Sequence, residues 1–349
     1  MKVFDGHNDV LLRLWGQPAG ERHRRFLHGD GEGHLDLPRM KKAGFAGGFF
    51  AIFAPSPEAD ANYASAGAPD ALPLSRDAAL GPTLGMANLL IGLAAASNGK
   101  FRLVRSMAEL RAAQAAGAVA AVMHIEGLEA VDENLDGLHL LHAAGLRSLG
   151  PVWSRANVFG HGVPFRFPSA PDTGPGLTAA GKRLVSACND LGILVDLSHL
   201  NERGFWDVAD LSSAPLVATH SNAHALCPSS RNLTDDQLRA IGRSGGMVGL
   251  NFAVGFLQGE GGWSSDLDLE VMVRHLAHMI ALAGEDHVGL GSDFDGAEIS
   301  RHLGDVLGLP RLIRAMEGAG FGAALIRKVA HDNWLRVLER TWKPDALAS

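Results

Sequence analysis

The chain has little cysteine: two residues in 349, Cys188 and Cys227. They form neither a CxxC pair nor a zinc-finger spacing, which argues against a disulfide scaffold or a thiolate metal site. Reduced, intracellular thiols are the simplest reading. Long basic runs are missing as well, and the net charge is −7. Nothing here suggests a nucleic-acid or anionic-membrane surface. No apolar run is expected to span a bilayer; the Ala-rich stretch 87–96 is short and carries Asn88 and Gly92. The opening MKVFDGHNDV has no apolar leader core and brings charge early. The expectation is a cytoplasmic protein with no nucleic-acid or membrane partner.

What is present is material for a large core: 46% hydrophobic and 20% charged residues, as in a soluble globular protein. Eight short apolar runs recur, each followed by a loop and a helix-like segment. They are VFDGHNDV (3–10), GFAGGFFAIFA (44–54), AVAAVMHIEG (118–127), LRSLGPVW (146–153), GILVDLSHL (192–200), APLVATHS (214–221), GGMVGLNFA (245–253) and HVGLGSDFDG (287–296). Helices are expected over 133–144, 178–190, 234–242 and 267–283, with Thr178 and Thr234 as N-caps. Continuous apolar strands alternating with helices imply a parallel sheet covered on both faces. Eight such units predict a (β/α)8 barrel, a TIM barrel, formed by one domain over 1–349; a doubly wound open sheet is the alternative. Long loops interrupt the pattern at 55–77 and 154–177. Both follow strands, where a barrel carries its active site.

Five of the eight runs carry a metal-competent residue at or near the C-terminal end: His7 and Asp9, Glu126, His199, His220 and Asp293. In a barrel these ends converge on one face. His7 and Asp9 stand two apart, and in a strand such side chains point the same way. Imidazoles and carboxylates without thiolates suit Zn, Mn, Fe or Co. The surplus over one catalytic zinc site suggests a carboxylate-bridged pair of metals, which activates a shared water and polarises the carbonyl it attacks. Asp293 would then be the general acid/base. The remaining histidines fit less well. His23, His28 and His34 fall in an early loop. His139, His142, His275 and His278 fall on helices, expected to be partly exposed, and His124 shares the parity of Glu126 in what reads as a structural role.

With these motifs the chain resembles the membrane (renal) dipeptidase family, peptidase family M19, a branch of the amidohydrolase-like barrels. The resemblance runs from DGHNDV through KAGFAGGFFAIF, HIEG, GLTAAGKRLV, LGILVDLSHL, ATHSNAHALCPSSRNLTDDQL and VGLGSDFDG to HDNWLRVLE, in the family's order. It implies a dipeptidase that uses two divalent metal ions, typically zinc, to activate a hydroxide against the peptide bond of a dipeptide. By the same resemblance His7 and Asp9 bind one metal, His199 and His220 the other, and Glu126 bridges them. Asp293 handles the proton, with Asp295 less favoured. Arg231 pairs with the substrate's terminal carboxylate, a task suited to a guanidinium fork. L-Xaa-L-Xaa and L-Xaa-D-Xaa dipeptides are the implied substrates, and a homodimer is an assembly seen in related proteins.

One position departs from the family. Where better-known members end the fourth strand in Thr-His, this chain has Trp153. Trp153 is expected to wall an apolar pocket, with Arg155 or His161 as replacement donors. The departure keeps a second reading open, another amide or lactone hydrolase on the same metals. A barrel that binds metal without catalysis is a third, against which Asp293 and the complete ligand set argue.

Overall fold

The computed structural model describes residues 1–56 and 71–343. Among the described residues nine strands lie in one sheet: β1 (Val3–Asn8), β2 (Phe45–Phe53), β3 (Phe101–Leu103), β4 (Val119–Glu126), β5 (Leu146–Gly150), β6 (Leu194–Val195), β7 (Val217–Ala218), β8 (Met247–Leu250) and β9 (Val288–Leu290). Neighbours run β6-β5-β4-β2-β1-β9-β8-β7, with β3 added beside β4, and every pairing is parallel. A parallel bridge between Asp196 and Val217 joins the two ends. The amide of Leu197 donates to the carbonyl of Val217 there at 2.8 Å. Eight strands thus close into the expected barrel, and the open sheet is set aside.

Strand and helix burial explains the run composition. Every residue of β1 and β4 is buried, as a sheet covered on both faces requires. Outside, helices pack on the barrel; inside, Phe4, Phe49 and Trp334 form an aromatic cluster. Trp334 belongs to the helix Asn333–Thr341, which plugs the barrel bottom, and its indole nitrogen donates to the carbonyl of Leu290 at 2.9 Å. Gly6 of DGHNDV leaves room for that plug. A Cβ there would overlap the Trp334 indole and the Thr219 carbonyl. The opposite end is left for the site.

The expected caps are in place. Thr178 accepts from the amide of Gly181 ahead of the helix Ala179–Leu191. Thr234 forms a capping box with Gln237 ahead of the helix Asp235–Ser244.

Several boundaries need correction. The apolar runs overshoot the strands, most at β6 and β7, because the chain peels off the ladder where the site begins. Asp9 lies beyond β1, at the start of the helix Val10–Trp15. His23 and His28 sit on the helix Arg22–His28 rather than in a loop. His275 is buried on the helix Leu269–Ala283, its Nδ1 accepting from the amide of Ala223. The loop expected over 55–77 lies outside the described residues at 57–70. The Ala-rich stretch belongs to a 21-residue helix, Arg76–Ala96, long and apolar enough to cross a membrane by length and composition. Its Met86, Leu89, Leu90 and Leu93 are buried in the barrel's outer core, the place of a covering helix.

The plug gives a direct test. Trp334→Ala is expected to lower the unfolding free energy by about 3–5 kcal/mol, the usual cost of emptying a buried aromatic site. Denaturant titration reads it, and a loss under about 1 kcal/mol would show that Trp334 is not a packing element.

Candidate metal centre

The C-terminal strand ends bring the sequence-selected residues together. His7 is the penultimate residue of β1 and Glu126 the last of β4. His199 and His220 follow β6 and β7, and Asp293 follows β9. Backbone bonds tie the first and last of these. The Asp293 amide donates to the His7 carbonyl at 3.0 Å, and the Asp9 amide donates to the Phe294 carbonyl at 2.8 Å. Asp9 caps no helix amide with its side chain, which turns to His7 instead. His199 and Asp293 reach the pocket through left-handed backbone, with φ of 69° and 58°.

One carboxylate oxygen organises the cluster. Glu126 Oε1 lies 2.9 Å from His199 Nε2, 3.3 Å from His220 Nε2 and 3.6 Å from His7 Nε2. His7 Nε2 is also 3.2 Å from Asp9 Oδ2. The His7 ring stacks on His220 at 3.8 Å, and the Nε2 atoms of His199 and His220 face each other at 3.1 Å. All five side chains are buried.

Protons alone satisfy this arrangement poorly. Among the described residues neither ring nitrogen of His7 has a hydrogen-bond partner, the Asp9 carboxylate 3.2 Å away being an ion-pair contact only. The Thr219 hydroxyl gives its single proton to Asp196 Oδ2 at 2.5 Å, so it accepts from His220 Nδ1 at 2.8 Å. His220 Nε2 is then a bare lone pair aimed at a carboxylate oxygen and at another imidazole. Buried nitrogen and carboxylate lone pairs converging on one space fit divalent cations. Two overlapping groups, His7–Asp9–Glu126 and Glu126–His199–His220, have ligand atoms close enough to hold an ion each.

Burial shapes the charges. It drives His199 and His220 well below the ordinary histidine range. It pushes Glu126 up to about 8. For His7 burial pulls down, but the carboxylates of Glu126 and Asp9 outweigh it and lift the ring to about 10. Burial, then the Asp9 carboxylate, raises Asp293 to about 6.

The neighbouring positions divide clearly. Asn251 Nδ2 donates to Asp293 Oδ2 at 2.9 Å, leaving the carboxyl beside His7 and His220. Asp295 turns away: its Oδ1 accepts from the His34 amide, and Arg13 Nε lies 3.1 Å from its Oδ2. Arg231 is buried. It donates to the Ser221 hydroxyl and the His220 carbonyl, both at 2.9 Å, and its Nε has no hydrogen-bond partner among the described residues. Trp153 stands 5.8 Å from His199, between Phe53 and Phe165, as an aromatic wall. Arg155 corrects an expectation. Its guanidinium donates to Glu129, Ser56 and the Ala54 carbonyl, a brace behind Trp153 rather than a donor at the centre. His161 meets the Gly176 carbonyl at 3.3 Å.

Some contributors carried no metal-site signal of their own. Ser154 lies 2.7 Å from His199 Nδ1, and Thr219 and Asp196 stand behind His220. Their adjacency to Trp153, His220 and His199 in VWSR, ATHS and VDLSH was the available hint.

A parallel barrel with histidines and carboxylates gathered at its C-terminal face is a setting for metal-dependent chemistry. The membrane dipeptidase family model (peptidase family M19) matches residues 1–346, and the chain belongs to that family. It is a metal-dependent dipeptidase by that membership. It is similar to a metallopeptidase from Rhodobacter sphaeroides solved with a phosphinate mimic of the dipeptide L-Ala-D-Ala: 57% identity, TM-score 0.95, covering 98% of this chain and 99% of that one. A second solved structure, the M19 metallopeptidase dipeptidase AC, shares 56% identity with TM-score 0.94 over 98% and 99% of the two chains. An uncharacterised protein of the pqqA 5′ region in Klebsiella pneumoniae is 50% identical over 255 residues, 73% of this chain and 94% of that protein. These similarities do not favour the lactone or other amide hydrolase.

The raised His7 and Glu126 groups mean that the metal-free cluster holds protons at neutral pH, and a cation must displace them. Zinc added to apoprotein at pH 7 is expected to release protons, with apparent affinity rising as pH rises. A pH-indicator titration in weak buffer reads this; binding without proton release would contradict the arrangement.

Proposed function

We propose that His7 and Asp9 hold one divalent ion, His199 and His220 a second, and that Glu126 joins them, with zinc in both places. The observation that carries this is Glu126 Oε1 facing three imidazole Nε2 atoms within 3.6 Å. The proposed substrates are dipeptides of the L-Xaa-L-Xaa and L-Xaa-D-Xaa types. The R. sphaeroides relative, liganded with an L-Ala-D-Ala mimic, supports the second. Bound ions of this kind activate a water and polarise the scissile carbonyl.

The chain's own residues do the rest. Asp293 takes the proton of the attacking water and returns it to the leaving amine as the C–N bond breaks. In the metal-free cluster burial lifts this carboxyl to about 6, nearer neutrality than an ordinary Asp, which suits taking and returning a proton. Asn251 holds one of its oxygens and leaves the other for the proton. Arg231, its Nε unpaired, binds the substrate's terminal carboxylate, while the Ser221 and His220 contacts fix its plane. Trp153, with Phe53 and Phe165, covers the substrate's apolar portion and keeps water from that side. Cys188 and Cys227 are buried and unpaired, which suits a reducing, cytoplasmic setting.

A dipeptide panel with metal analysis tests the reading: turnover with about two zinc equivalents per chain is expected, and no turnover of any member would overturn it. Asp293→Asn is expected to lower kcat by about 10²–10⁴ with metal retained. Arg231→Ala should chiefly raise KM, by about 10- to 100-fold, the worth of hydrogen bonds to a charged group. A variant with unchanged KM would remove Arg231 from the carboxylate site.

A further inference from the structure

A buried carboxylate beneath the metal centre has no role in the chemistry described so far. Asp196 directly follows β6, and its pairing with Val217 is the bridge that closes the barrel. Its Oδ1 accepts the backbone amides of Ser198 at 3.0 Å and Thr219 at 2.8 Å. Its Oδ2 accepts the Thr219 hydroxyl at 2.5 Å. The same oxygen lies 3.7 Å from His124 Nε2 and 4.0 Å from His220 Nδ1.

Thr219 links this carboxylate to the ligand. A hydroxyl has one proton to give. With that proton on Asp196, Thr219 Oγ1 accepts from His220 Nδ1 at 2.8 Å, which leaves Nε2 as the lone pair facing Glu126. The tautomer is therefore set from two residues away. A carboxylate reached through one hydroxyl also makes the imidazole a better donor to a cation, as outer partners of metal-bound histidine do.

We propose that Asp196 is a positioning residue for the metal centre: acting through Thr219, it fixes the tautomer and ring angle of His220. This rests on His220 being a metal ligand. The rival reading is a further cation among His7, His124 and Asp196, whose ligand atoms also lie close together. It is disfavoured because three N–H or O–H donors already occupy the Asp196 carboxylate, and Ser148 meets His124 Nδ1 at 2.9 Å.

The test compares Asp196→Asn, Thr219→Val, Thr219→Ser and His220→Ala with the parent chain. Zinc affinity is measured by chelator competition, and visible absorption after cobalt substitution reports the ligand geometry. Asp196→Asn and Thr219→Val are expected to weaken zinc binding by about 10- to 100-fold and to change the cobalt spectrum, while Thr219→Ser keeps both. Should Asp196→Asn fail to fold, Thr219→Val carries the test alone, because it preserves the backbone amide donated to Asp196. If His220→Ala loses metal but Asp196→Asn and Thr219→Val bind as the parent does, the inference is wrong and the ligand assignment stands. Equal loss in Thr219→Val and Thr219→Ser would also overturn it, pointing to packing. Wild-type metal binding by His220→Ala would remove the ligand assignment itself, and the inference with it. More than two ions in the parent would favour the further cation.

Discussion

The parallel pairing of Asp196 with Val217 is the constraint on which the site depends. β6 and β7 are each two residues long, so little ladder holds them. Yet His199 and His220 hang just beyond those two strands. Closing the sheet there brings both imidazoles over Glu126, which stands at the end of β4, two strands from β6. An open sheet of the same strands would leave β6 and β7 at opposite edges, with the two histidines apart. The plug of Trp334 at the bottom and the polar cluster at the top are the two ends of this one closure. Gly6 and His7, adjacent in β1, serve one end each.

The top of the barrel is also where local stability is given up. His199 and Asp293 hold left-handed backbone that costs about 1–3 kcal/mol each for residues with a Cβ. Carboxylates and imidazoles are packed together away from water, and burial raises Glu126 and Asp293 against ionisation. A row of aromatic side chains, Phe53, Trp153, Phe165 and Phe256, lines the cluster on the His199 side. Removal from water also strengthens interactions with a bound cation. The burial that opposes ionisation in the metal-free cluster would therefore also favour a bound cation.

Much of this was legible in the sequence because a parallel barrel imposes a simple pattern. Both faces of each strand are covered, so strands read as apolar runs, and polar residues at one end of several runs stand out. The expectations failed where backbone departs from the ladder. Parity treated Asp9 as a strand residue, but it reaches His7 from the turn beyond β1. A histidine on a helix reads as half exposed, yet His275 spends both ring nitrogens on the backbone of neighbouring loops. The helix Arg76–Ala96 was hidden by Pro82 and its glycines. Gly85 and Gly92 lie close against Trp15 and His23 and let neighbouring helices approach. Ser154, Thr219 and Asp196 were not legible as contributors, since serine, threonine and aspartate have local uses nearly everywhere.

The tryptophan at position 153 gives the loop after β5 its part in the site. A histidine there offers a proton or a lone pair to the substrate; an indole wall offers area. The residues around it are arranged accordingly. Arg155 stacks its guanidinium 5.3 Å from the Trp153 ring and is itself held by Glu129 and the end of β2, so the wall is rigid. Ser154, next in the chain, turns inward to His199 instead of toward the cleft. The loop after β5 therefore contributes shape and ligand orientation, and its cation is spent on bracing. In the proposed reading, polar contact with the substrate would fall to Arg231 after β7 and Asp293 after β9. On the proposed assignment, a rigid aromatic face opposite a cation and a carboxyl would orient a small amphiphilic molecule with its charge toward Arg231 and its apolar side toward Trp153, the orientation that would present a peptide bond to the cluster between them.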